Sequence, residues 1–369
     1  MTSERGLHAK IPGLGGSSSS KPPETCPEGT LRICGDWGSP YTQKMIAVCR
    51  YRRIPYRFVT APFRDQLFAN LPRPPVALAP TFYFGDEPMV DSTPIVQRLE
   101  KDYAGRSLVH PNPGMAMLAE LIEDFGDELI TKCMYHYRWN GNDDATKASF
   151  FLPLTANPAM PQAQLEQLSS FIRQRQVSRL DFVGSNSVTK PAIERIFVRL
   201  VQLLDNHLAA GYTFLFGQRP STADFGLFGQ LSQLHRVENT SRLLLEKNSY
   251  RVASWISVMT DLSGRPVADE DWISVDAAFP PTLKALIAEI GTLYAPFMVA
   301  NAAAVAQKQK RLSCELGPNK VKWDQPSFSY QAKCLALLNK RYWELSELDR
   351  ASVDAVLLGT GCELLFVKS

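Results

Sequence analysis

Residues 31–59 read LRICGDWGSPYTQKMIAVCRYRRIPYRFV, and residues 79–100 read APTFYFGDEPMVDSTPIVQRLE. The apolar run from Leu31 to Cys34 is too short for a helix and predicts a buried strand. Gly35-Asp36-Trp37-Gly38 breaks that run as a loop. Ser39-Pro40 then opens a helix, because serine is a favoured N-cap and proline is tolerated at the first helical position. Met45, Val48 and Cys49 recur at helical spacing behind the cap. A second strand is expected from Tyr56 to Val59. After a proline-rich connection, Ala79-Pro80 precedes a third strand, Thr81 to Phe84. Gly85-Asp86 makes a turn, Pro88-Met89-Val90 is extended, and Asp91-Ser92 caps the next helix. The order is β-α-β followed by Pro-β-β-α.

That order resembles the thioredoxin-like half of the glutathione transferases, and three motifs carry the resemblance. Ser39-Pro40-Tyr41 with Lys44 is similar to the family's S-P-[FY]-x-x-[RK] turn. Ala79-Pro80 stands at the family's cis-proline, so a cis peptide bond is expected there. Asp91-Ser92 stands where the family has its acidic-serine pair. The resemblance implies that Ser39 is catalytic, that Ala79 and Pro80 face the peptide-like middle of glutathione, and that Asp91 and Ser92 hold its γ-glutamyl end. Glutathione is the implied co-substrate. Trp37, Tyr41 and His136 are candidates for lining the adjoining pocket.

The chemistry follows from physics. A free thiol has a pKa of about 8.5, so little of it is the nucleophilic thiolate at neutral pH. A hydroxyl donor at a helix N-terminus stabilises an adjacent thiolate through its hydrogen bond and the local positive dipole. Ser39 fits that role. Asp91 and Ser92, also at a helix start, suit an ammonium and a carboxylate. Serine in place of the cysteine of redox-type members argues against disulfide exchange.

At 369 residues with 45% hydrophobic content, the chain has room for two domains with real cores. Its 40 basic and 37 acidic residues balance to a net +3, which offers no basic surplus for nucleic acid. Seven cysteines, at 26, 34, 49, 133, 314, 334 and 362, include no C-x-x-C pair or zinc-like spacing. An odd count suits free thiols in a reducing, cytoplasmic setting better than a secreted disulfide framework. Residues 1–29 are rich in Gly, Ser, Pro and charge, have no apolar core of a signal peptide, and read as a disordered tail. Residues 285–306 are apolar, but Glu289, Pro296 and Asn301 favour a buried helix broken near Pro296 over a membrane span.

From Pro113 the period changes. MAMLAELIEDFGDELITKCMYHYRW, residues 115–139, repeats apolar positions at three and four. Glu123, Asp124, Asp127 and Glu128 lie along one side and read as a solvated or ion-paired face rather than a metal site. Residues 140–190 read as an insertion or long loop with one helix, residues 163–179. Another amphipathic helix is expected over residues 193–209. In FLFGQRPSTADFGLFGQLSQL, residues 214–234, Ser221 is the N-cap and Asp224 the capping-box partner, with Pro220 and Phe225 as a hydrophobic staple. This S-x-x-D element after a G-x-R-P turn resembles the capping box in the core helix of glutathione transferase C-terminal domains.

The resemblance spans roughly residues 30–265. Beyond it, helical signals recur over 283–307 and 330–348, and LSCELGPNKVKWDQPSFSY between them has turn and strand character. The terminal GTGCELLFVKS predicts a glycine turn and a short strand, with Cys362 as a buried structural thiol.

The expectation is therefore a thioredoxin-like α/β domain over residues 30–104, an all-α domain over 113–265, and a helical extension over 266–369 that folds against its own chain. The implied function is a serine-type glutathione transferase acting on a small hydrophobic electrophile as a homodimer. A non-catalytic binding or scaffold protein of the same fold is the alternative, and the added C-terminal surface favours it.

Overall fold

The computed structural model describes residues 29–367, so the tail expected over residues 1–29 lies outside the described residues apart from Gly29. The first unit is built from β1 (Leu31–Gly35), α1 (Pro40–Arg52), β2 (Tyr56–Thr60), a short α2 (Arg64–Leu67), β3 (Thr81–Phe84), β4 (Glu87–Met89) and α3 (Ser92–Asp102). The strands lie in the order β2-β1-β3-β4, with β1 parallel to β2 and the other pairings antiparallel. This is the thioredoxin-like mixed sheet that the β-α-β and β-β-α order calls for. Ser39 caps α1 by accepting from the Thr42 N–H at 3.3 Å, and Pro40 takes the first helical position. The Ala79–Pro80 peptide bond is cis.

The helical unit begins with α4 (Pro113–Phe125), which runs through a π-helical turn (Gly126–Ile130) into α5 (Thr131–Trp139). In the stretch expected to be an insertion or long loop with one helix, α6 (Asn142–Ala156) is a second helix beyond that expectation, and α7 (Gln162–Val177) is the helix expected over residues 163–179. Then come α8 (Lys190–Ala209), α9 (Thr222–Arg236), α10 (Asn239–Asn248) and α11 (Tyr250–Met259). Every residue of α9 from Thr222 to Leu234 is buried, so it is the core helix of this unit. Two glycines let it approach its neighbours at backbone distance. A Cβ on Gly226 would sit 3.0 Å from the Glu123 Cα of α4, and one on Gly229 would sit 2.8 Å from the Pro40 carbonyl oxygen of α1. The start of α1 is thereby seated on the core helix.

The extension is α12 (Pro281–Ala306), a hairpin of β5 (Arg311–Leu316) and β6 (Val321–Pro326), α13 (Ser329–Glu344), α14 (Glu347–Leu357) and a closing 3-10 turn (Cys362–Phe366). The last of these corrects the expected terminal strand. The Glu363 carboxylate accepts from the Gly359 and Gly361 N–H groups and curls the chain into a turn.

The break expected at Pro296 is also corrected, since α12 runs through it. Proline has no N–H to give the carbonyl four residues back, which is that of Thr292. The Gly317 N–H of the hairpin reaches that carbonyl at 2.8 Å instead. Asn301 is equally well served: its side-chain amide donates to the Phe328 carbonyl at 2.9 Å and accepts from the Phe328 N–H at 2.8 Å. By length and hydropathy α12 is apolar enough to cross a bilayer, yet the hairpin, α13 and the closing turn pack against it. A single hydrophobic core contains Leu31 of β1, Phe225 of α9 and Phe366 of the closing turn, so the extension shares the core of the body.

Candidate functional site

The start of α1 forms one wall of the site. The half-buried Ser39 hydroxyl lies 3.2 Å from the Ala79 carbonyl and donates to it, which joins the helix start to the cis-proline turn. Ser39 thus uses one of its two lone pairs on Thr42 and its proton on Ala79. The turn before it is clamped from the helical unit. Arg138 of α5, 4% exposed, donates to the Gly38 carbonyl at 2.7 Å and to Gln233 of α9 at 2.9 Å, and it pairs with Glu238. Gln43 and Gln233 both donate to the Trp37 carbonyl, at 2.8 and 3.2 Å. The Trp37 ring lies 4.4 Å from that of Phe58, and Leu152 of α6 covers Gly38 so closely that a Cβ there would collide with it.

The second wall is the start of α3. Asp91 occupies the N-cap position with φ +80, a conformation rare outside glycine. Its carboxylate makes no capping bond to its own helix. It accepts instead from the Tyr330 hydroxyl of α13 at 2.5 Å. Ser92 is buried, and its Oγ accepts from Lys44 Nζ at 3.2 Å.

Lys44 is the hub beneath both walls. It is 1% exposed and bonds the Glu123 and Asp127 carboxylates at 2.7 and 2.6 Å. Burial pulls its pKa down, but Asp127 and Glu123 outweigh that and hold the ammonium charged. Tyr41 donates to the Asp127 carbonyl at 2.8 Å, and burial pushes its phenol well up, so it stays protonated. Three of the four acidic residues expected on a solvated or ion-paired face are buried, and the fourth, Asp124, is half-buried. The reading as a solvated face is therefore corrected, while the ion pair holds for Glu123 and Asp127. Asp124 accepts from Tyr294 of α12. Burial raises its carboxyl to about 7.

The sequence-derived residues fall into two groups. Ser39 is joined to Ala79 of the cis-proline turn, and Ser92 is joined to α1 through Lys44, next to Asp91, while Trp37 packs on Phe58 and Tyr41 bonds into the helical unit at Asp127. His136 bonds elsewhere: its Nδ1 is 2.7 Å from Ser185 Oγ and its Nε2 is 3.7 Å from Glu194 of α8. Ser221 and Asp224 are structural. The fully buried Asp224 carboxylate accepts from the Ser221 N–H and hydroxyl, both at 2.8 Å, and from the Leu215 N–H at 2.9 Å. The reading of the sequence missed Arg138, Leu152, Gly229 and Tyr330. Only Gly229 left a signal, as the second of two glycines three apart in a helical run.

No group of His, Cys, Asp and Glu among the described residues has a geometry suited to a metal ion. Comparison with known proteins matches residues 33–107 to the glutathione S-transferase N-terminal domain and residues 173–257 to the glutathione S-transferase C-terminal domain. No curated protein matches the chain. Among solved structures, a Tau class glutathione S-transferase from mango, Mangifera indica, is similar at 15% identity and TM-score 0.38, covering 65% of this chain and 94% of its own. A glutathione S-transferase from Methylobacterium radiotolerans, in complex with glutathione sulfonate, is 14% identical with TM-score 0.33, covering 65% and 98%. A glutathione transferase homolog from Lodderomyces elongisporus, with two glutathione molecules per subunit, is 15% identical with TM-score 0.30, covering 62% and 98%. The chain thus carries, in that order, matches to the N-terminal and C-terminal domain models of the glutathione S-transferases, and residues 108–172 and 258–369 lie outside both matches.

Proposed function

We propose that this chain is a serine-type glutathione transferase that activates the glutathione thiol for attack on a small hydrophobic electrophile. The observation that carries the reading is the Ser39 hydroxyl at the start of α1, 3.2 Å from the carbonyl of Ala79 beside the cis-proline. A bound peptide offers its own N–H to the Ala79 carbonyl, which releases the Ser39 proton to turn toward the sulfur. The Thr42 N–H keeps the serine oxygen in place meanwhile. The thiol gives its proton to water, and the hydroxyl and the helix N-terminus hold the resulting thiolate. Its lone pair forms the carbon–sulfur bond, and the leaving group departs with its electron pair. Conjugation, ether cleavage, dehalogenation and isomerisation all begin with that thiolate.

At the far end, the Asp91 carboxylate takes the ligand ammonium, and Ser92 takes its carboxylate. Lys44 already donates to the Ser92 oxygen, so the serine proton points away from it, toward the ligand. Trp37, Phe58 and Leu152 supply an apolar wall for the electrophile, and Tyr41 contributes its ring because its hydroxyl is engaged. The six described cysteines are unpaired, which supports a reducing, cytoplasmic setting. We assign a homodimer as well. Because α13 and α14 pack on α4, pairing would run through the thioredoxin-like unit.

A binding protein without chemistry is the second reading, and the surface added by the extension from α12 onward favours it. Calorimetric titration of glutathione into wild type and Ser92→Ala, with turnover of an electrophile panel by wild type and Ser39→Ala, separates the two. Transferase function predicts that Ser39→Ala lowers turnover about 10- to 100-fold, the worth of one hydrogen bond to an anion, with binding nearly unchanged. Equal rates would reduce Ser39 to a cap. Binding without turnover in wild type would select the second reading, and no binding at all would overturn both.

A further inference from the structure

We propose that Tyr330, supplied by the C-terminal extension, is a specificity-determining residue of the ligand site, where it positions the Asp91 carboxylate to receive an ammonium group. The inference rests on the reading that Asp91 takes the amine end of glutathione.

The Asp91 side chain has left its own helix: it makes no capping bond, and its backbone is held at φ +80. A non-glycine residue in such a conformation costs of order 1–3 kcal/mol and persists only where its surroundings over-determine it. The carboxylate that this backbone presents is met by the phenol of Tyr330, 239 positions away in sequence and 2.5 Å away in space. One carboxylate oxygen, Oδ2, is fixed by that bond. Among the described residues no hydrogen bond engages the other, Oδ1, whose lone pairs can take an incoming donor.

Tyr330 cannot drift, because the chain is pinned on both sides of it. Two residues earlier, both backbone groups of Phe328 are bonded to the buried Asn301 side chain. One residue later, the buried Gln331 donates to the Glu128 carbonyl at 3.1 Å. The phenol is therefore part of a rigid wall rather than a swinging lid. Burial, Cys334 and Asp91 all push its pKa up, so it remains a proton donor to the carboxylate. A carboxylate fixed in this way loses less freedom when an ammonium binds, which raises affinity for ligands that carry one.

The consequence is selectivity for a ligand with a free α-amino group, and the extension supplies it. The test measures glutathione and its des-amino analogue, which lacks only the α-ammonium, against full-length wild type and Tyr330→Phe. Thermal melting of both proteins reports on folding. The expected result is about tenfold weaker glutathione binding by Tyr330→Phe, unchanged binding of the analogue, and a retained melting transition. Equal weakening of both ligands would make Tyr330 merely structural and overturn the proposal. Unchanged or tighter glutathione binding would show that the phenol is idle or competes with the ligand, and would overturn it too. If neither protein bound glutathione, the parent reading would fall along with this one, an outcome distinct from the other two.

Discussion

His136 shows what burial does to a single side chain. It is 2% exposed, and burial with the Lys190 charge lowers its pKa to about 4 although Glu194 opposes them. The unfolded chain binds a proton at His136 below about pH 6.5, whereas the folded chain resists it until about pH 4. The unfolded state therefore holds more protons in that window, and stability falls as the pH is lowered through it. Between pH 7 and pH 4 the loss from this residue amounts to about 3 kcal/mol. Urea unfolding of wild type and His136→Gln at both pH values is expected to show that much less loss in the variant. An identical loss would mean that the imidazole is charged in the fold. Lys44 teaches a different lesson about residues. Its place in the motif was legible, but its role was not, because the carboxylates that neutralise it lie 79 and 83 positions away. For the same reason the acidic run reads only as a solvated or ion-paired face, with nothing local to say which.

Among the elements, α9 has the most to hold in place. Its cap fixes its first turn, its glycines admit α4 and α1, and Gln233 near its end steadies the Trp37 turn. Asp224→Ala removes three hydrogen bonds from a fully buried carboxylate, so a loss at the upper end of the usual 0.5–2 kcal/mol for a cap is expected. A lowered melting temperature with unchanged glutathione binding is the outcome to look for. An unaltered transition would mean the cap contributes nothing. This element was legible because S-x-x-D followed by an apolar run encodes its own start. The strands β1 to β3 and the cap of α1 were legible for the same local reasons. By contrast α6 was not, since NDDATKASFFLPLTA carries a proline near its end and no clean apolar stripe. The closing turn failed likewise: an apolar run cannot by itself tell strand from turn, and Glu363 decides it.

At the scale of the whole molecule, the extension is joined to the body by shared burial and by polar seams. Asp349 bonds Asn112, Arg341 pairs with Glu120 at 2.8 Å, and Arg311 bridges Asp181 and Asp324. Truncation after Gly264 would expose the body face against which Leu283, Ile287, Ile290 and Phe297 are packed, each of them fully buried. Insoluble protein is expected, and light scattering of the purified chain and of the truncation would show it. A soluble truncation that still bound glutathione would make the extension an independent module.

The bond between Gly317 and Thr292 bears on ancestry. The carbonyl that the proline in the middle of α12 leaves free receives a donor from the hairpin. Thr292 is exposed, so a kindred chain that kept the proline but lost the hairpin would leave that carbonyl to water and give up the net worth of one hydrogen bond, about 0.5–1.5 kcal/mol. That small difference means the proline can outlive the hairpin in a lineage, whereas a hairpin in this place gains a ready anchor wherever the proline is kept.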